Sequence, residues 1–109
     1  MSDSMFRLLG MLPGEARTRV VAMYVETLAG QFTLLAQAMQ SRGEDAVPLA
    51  HKIAGSAAMM QDHALSVPVR SLETCLRGQR WDEAFEQWPE VQERIAHTLA
   101  LLREAYPAG

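Results

Sequence analysis

The sequence predicts an all-α fold, an antiparallel up-down four-helix bundle with a short extra N-terminal helix. Three observations lead there. Apolar residues recur at three- and four-residue steps through four long segments, the period of an amphipathic helix. Aromatic residues make up only 6% of a chain that is 49% hydrophobic, whereas a β-sandwich wants more aromatic and β-branched side chains. The connections between segments are short, as between antiparallel neighbours. At 109 residues, without an internal repeat or linker, the chain reads as a single domain, 1–109, around one core.

The first helix, about residues 5–12, is the apolar run from Met5 to Leu12 behind Ser4, halted at Pro13. Residues 13–41 carry the stripe Val20, Tyr24, Leu28, Phe32, Leu35 and Met39. Pro13 at its start and Gly43 just past its end are the usual helix punctuation. Asp45 is the expected N-cap of the helix over 45–61, where Pro48 falls in the first turn and its missing N–H matters little. Asp62 is expected to cap residues 63–78, with Leu65, Val69, Leu72 and Leu76 buried and Gly78 as the stop. Pro68 predicts either a late start there, at Ser66, or a kinked first turn. Trp81-Asp82 opens the last helix, over 82–106, with the stripe Phe85, Trp88, Val91, Ile95, Leu99, Leu102 and Tyr106, bent near Pro89.

Charge and composition remove several function classes. A net charge of −3 with no basic run gives no footprint for nucleic acid. The single cysteine, Cys75, excludes an internal disulfide, fits a reducing compartment, and is expected as a small buried hydrophobe. The opening MSDSMFRLLGML has too short an apolar run for a signal peptide, and no segment is long enough to span a membrane. A cytoplasmic monomer is expected. No glycine-rich phosphate loop is present, and His51, His63, His97 and Cys75 lack the spacing of a metal site.

The informative stretch is Leu49 to Gln61, LAHKIAGSAAMMQ. On a helix, Leu49, Ile53 and Met60 fall on one side, with Ser56 and Ala57 flanking them. His51 falls on the other, among Val47, Ala54, Gly55 and Ala58, a strip without long side chains. Glycine inside a helix costs roughly 1 kcal/mol against alanine, and small residues there suit a close approach by another molecule.

The residues Ala50-His51-Lys52-Ile53-Ala54-Gly55-Ser56 resemble the signature of histidine-containing phosphotransfer (HPt) domains, Ala-His-x-Leu-Lys-Gly-Ser. Ala54 stands where the family usually has lysine, and Gln61 where it commonly has a glycine at the helix end. With the helix pattern, the resemblance covers most of the chain and puts His51 on the second long helix of a four-helix bundle. It implies a phosphoryl carrier without autonomous kinase activity. His51 would accept the phosphoryl group from a receiver-domain aspartate and pass it to another receiver domain. The partners are then receiver domains of a hybrid sensor kinase and a response regulator. No cofactor belongs to the chain itself, and Mg2+ is expected in the partner.

Related domains carry a Glu or Gln bonded to the histidine ring at a place that Glu73 matches. Accepting from Nδ1–H, it would orient the ring and leave Nε2 to attack. Arg77 matches an arginine that supplies charge in some relatives. Val47, Lys52, Ala54, Gly55, Ala58 and Met59 form the expected partner-binding surface. Two other readings stand beside this one: a phosphorylation-independent bundle docking a partner through the His51 face, and the excised substrate domain of a larger kinase.

Overall fold

The computed structural model describes residues 3–107, which hold five helices and no strand. These are α1 (Asp3–Gly10), α2 (Gly14–Ser41), α3 (Ala46–Met59), α4 (His63–Arg77) and α5 (Trp81–Ala105). Each of α2 and α4 packs against both α3 and α5, so the four long helices close around one core. Its largest enclosed side chains come from the predicted stripes: Leu28, Leu35 and Met39, then Leu65, Val69 and Leu72, then Val91, Ile95 and Leu102.

Helix α1 lies two residues ahead of the expected 5–12 and adds Met5 and Leu9 to the core. Met11 and Leu12 turn back on the Leu8 and Leu9 carbonyls, and Arg17 donates to the carbonyls of Leu9 (2.9 Å) and Leu12 (3.0 Å), tying off the helix end. Phe32, Phe85 and Trp88, expected in the buried stripes, are only half-buried. They pack in aromatic pairs, Phe32 on Trp88 at 6.1 Å and Trp81 on Phe85 at 5.8 Å.

Three helix ends share one geometry. Arg42, Gln61 and Gln79 take left-handed backbone, with φ of 53°, 55° and 57°. The N–H of the next residue reaches back to close each turn: Gly43 to Ala38 (2.9 Å), Asp62 to Ala57 (2.8 Å) and Arg80 to Cys75 (2.9 Å). The expected stop residues Gly43 and Gly78 therefore sit beside the left-handed position instead of in it.

The two aspartates expected as caps stand at the N-cap positions of α3 and α4, but neither side chain makes a capping bond. Asp45 has helical backbone and no side-chain cap bond. Asp62 is fully buried and turns inward, accepting from the Tyr24 hydroxyl at 3.2 Å and the Thr98 hydroxyl at 2.7 Å. Burial first, then the charge and hydrogen bond of Asp62, push the Tyr24 hydroxyl far above its ordinary pKa. Pro68 lies inside α4, which starts at His63 and not at Ser66; the missing N–H takes one bond from the early ladder without ending the helix.

Candidate functional site

Helix α3 presents a thin core face: Ala46, Ala50, Ile53, Ala54 and Ala57 are all buried. Methyl-sized side chains let α3 sit close to its neighbours, so a residue just outside this face stands at the surface beside the next helix. His51 is such a residue, with its side chain 68% exposed.

Ile53 and Met60 of the Leu49–Ile53–Met60 stripe that periodicity suggested are buried, but the core face differs from it at two places. Leu49 is half-buried, and Ala54, expected in the open strip, is 2% exposed and belongs to the core. Its methyl cannot be part of a docking surface, and a longer side chain there reaches solvent only by running out along the helix seam. Val47, Gly55 and Ala58 are half-buried, while Lys52 and Met59 are exposed. A methyl group built on Gly55 meets nothing within 4 Å, so no internal packing asks for glycine there.

From α4, Glu73 reaches across to the histidine. Its Oε2 lies 3.0 Å from His51 Nδ1, and the same oxygen accepts from Arg77 Nε at 2.8 Å, with Arg77 Nη2 at 2.7 Å. The Glu73 side chain is 12% exposed, against 57% for Arg77. Burial raises the Glu73 carboxyl, but hydrogen bonds from Arg77 and then His51, with their charges, outweigh it and leave the carboxyl below its ordinary pKa. An ionised carboxylate can only accept, so it selects the ring with Nδ1 protonated and leaves the lone pair on Nε2. The arrangement is an exposed imidazole, oriented from behind, with a guanidinium one helical turn from its anchor.

Sequence reasoning passed over residues on α2. Met23 (68% exposed) lines a groove of about 240 Å³ with Val20, Tyr24, Met59 and Met60, and Leu34 (51% exposed) lines one of about 420 Å³ with Pro48, Leu49 and Lys52. The signal was available: both are large apolar residues off the α2 stripe. Cys75 is buried, with the Gln87 amide 3.2 Å from its sulfur. Among the described residues no three His, Cys, Asp or Glu side chains gather as a metal site. Nor is any described helix long and apolar enough to cross a membrane.

A helical bundle holding an exposed histidine from behind is the architecture of a histidine phosphotransfer module. The model of the Hpt domain family matches residues 19–105, and the chain belongs to that family of two-component phosphotransfer domains. Neither a curated protein nor a solved structure matches it significantly.

Proposed function

We propose that this chain is a phosphoryl carrier between receiver domains, with His51 as the phosphoacceptor. The observation that carries the reading is the 3.0 Å bond from His51 Nδ1 to Glu73. Nε2 attacks the phosphorus of a receiver's aspartyl phosphate; the N–P bond forms as the P–O bond to the aspartate breaks, and that carboxylate leaves. Positive charge then grows on the ring, and Glu73 opposes it at Nδ1–H. In the second half, another receiver's aspartate attacks the phosphorus and Nε2 recovers its lone pair. Arg77 stands as the local cation for the phosphoryl oxygens, and the receiver's own Mg2+ supplies the rest.

In this reading the four long helices run up and down. Its support is the α2–α3 seam, where Leu34 to Ser41 meets Asp45 to Lys52 and Val20 to Thr27 meets Ser56 to Met60. The receiver docks on the flank formed by Lys52, Gly55 and Met59, edged by Val47 and Ala58. Lys52 is set for an acidic surface. The protein works as a monomer in the cytoplasm.

One observation favours a second reading, phosphorylation-independent docking through the same face. Ala54 replaces the lysine usual beside the histidine, which removes a positive charge from the site. The test is incubation with receiver domains of the same organism carrying a radiolabelled aspartyl phosphate. Acid-labile, base-stable label should appear on this chain and vanish in His51→Ala, while its helical circular dichroism is kept. Label surviving in His51→Ala, or found on His63 or His97, defeats the proposal. Binding without label selects the second reading.

A further inference from the structure

We infer that Met23 and Met59 are a modification site, a pair of thioethers whose oxidation by a peroxide weakens receiver docking. This rests on the reading of the His51 face as a receiver-docking surface. The described residues include six methionines, in two groups. Met5, Met39 and Met60 are 9% exposed or less, whereas Met11, Met23 and Met59 are 78%, 68% and 82% exposed. Met23 from α2 and Met59 from α3 line the same apolar groove, floored by Val20, Tyr24 and Met60. Met11, in the turn after α1, lines none of it.

The groove is close to the chemistry. Met59 lies about two turns beyond His51 on α3, roughly 12 Å along the axis. Two flexible, polarisable side chains at its rim suit contact with a partner, and their exposure leaves both sulfurs open to oxidants. A sulfur lone pair attacks one peroxide oxygen; the S–O bond forms, the O–O bond breaks, and the second oxygen leaves as water. The thioether is oxidised by two electrons to the sulfoxide, and the peroxide is reduced. Thr27 and Ser56 also line the groove, but at Met23 and Met59 each sulfoxide puts a strong dipole where the rim offered a partner apolar surface, and a thiol-dependent reductase restores it.

The test has two arms. After hydrogen peroxide treatment, peptide mass mapping should find one added oxygen on Met23 and Met59 before any on Met5, Met39 or Met60. Phosphoryl transfer from labelled receiver domains should then fall about tenfold relative to the reduced protein. Direct labelling of His51 by phosphoramidate, a small donor that needs no docking, should be unchanged. In a Met23→Leu, Met59→Leu double variant the ratio of oxidised to reduced rates should return to about one, each form compared with its own control. Met11→Leu should keep the full sensitivity of the wild type.

Equal transfer by oxidised and reduced wild type overturns the inference, as does a loss that persists in the double leucine variant. Absence of transfer to reduced wild type with direct labelling intact removes the docking reading itself, and this inference with it.

Discussion

Asp62 and Glu73 stand at opposite ends of α4, and each carboxylate is bonded to other helices, yet their surroundings differ in kind. Asp62 is fully enclosed and is met by two neutral hydroxyls, Tyr24 from α2 and Thr98 from α5. Glu73 is largely covered but is met by an exposed imidazole and an exposed guanidinium. The hydroxyl bonds at Asp62 join its corner of the chain to α2 and α5 inside the core. At Glu73 the carboxylate faces an imidazole, so it controls which ring nitrogen carries the proton. Similar acids, one residue type apart, thus tie helices together inside the core in one place and hold an exposed ring in the other.

The sharpest way to break this contrast is to remove each acid and follow both stability and transfer. Asp62→Ala should destabilise the fold by about 3 kcal/mol in urea titrations, because two buried hydroxyls lose their acceptor. Asp62→Asn, which keeps an acceptor oxygen, should recover part of that loss. A stable Asp62→Ala would mean that the buried network adds nothing.

Glu73→Ala should do the reverse. Transfer through His51 should slow by roughly ten- to a hundredfold as the ring samples the wrong tautomer and orientation. Its stability change should stay within about 1 kcal/mol, since both partners are largely exposed. An unaffected transfer rate would leave His51 working without an orienter.

Next in size is the corner that turns Asp62 inward. Gln61 holds a φ of 55°, a conformation that disfavours side chains by roughly 1 kcal/mol, so Gln61→Gly should stabilise the fold by about that amount. A destabilised Gln61→Gly would show that the glutamine side chain is itself held.

The smallest effect is acid sensitivity. The Glu73 carboxyl is lowered in the folded protein, so the stability it adds is complete above its ordinary, unfolded pKa and fades as pH falls through the lowered value. Melting temperatures of wild type and Glu73→Gln should therefore converge toward pH 3 or so. A gap that widens on acidification would reverse the assigned sign.

The same pair of acids shows what the sequence made legible. His51 was readable because its flanking residues are local, and Glu73 because the likeness to HPt domains pointed across to α4. Asp62 stands at the N-cap position its place before an apolar run predicts, but the inward turn of its side chain was not readable, because Tyr24 and Thr98 stand 38 and 36 residues away. Gln61 falls where relatives carry glycine, and its left-handed backbone gives the physical reason for that preference. The stripes on α2, α4 and α5 hold at their aliphatic positions, such as Leu28, Leu35, Leu65, Leu72, Ile95 and Leu102, while the aromatic Phe32, Phe85 and Trp88 stay half-buried. On α3, Ile53 and Met60 of the expected stripe are buried, but Leu49 is only half-buried and alanines make up the rest of the buried side. Size is a poor guide to inwardness on a helix so narrow.

The Glu73 anchor has one further consequence. A single oxygen, Oε2, receives both His51 and Arg77, so the imidazole is tethered at one point and not clamped in a fork. Such a ring can swivel about the Nδ1 contact while keeping its proton in place. In the proposed role as a carrier between two receivers, whose approach directions need not coincide, that pivot would let the same Nε2 tilt toward donor and acceptor alike with no helix having to move.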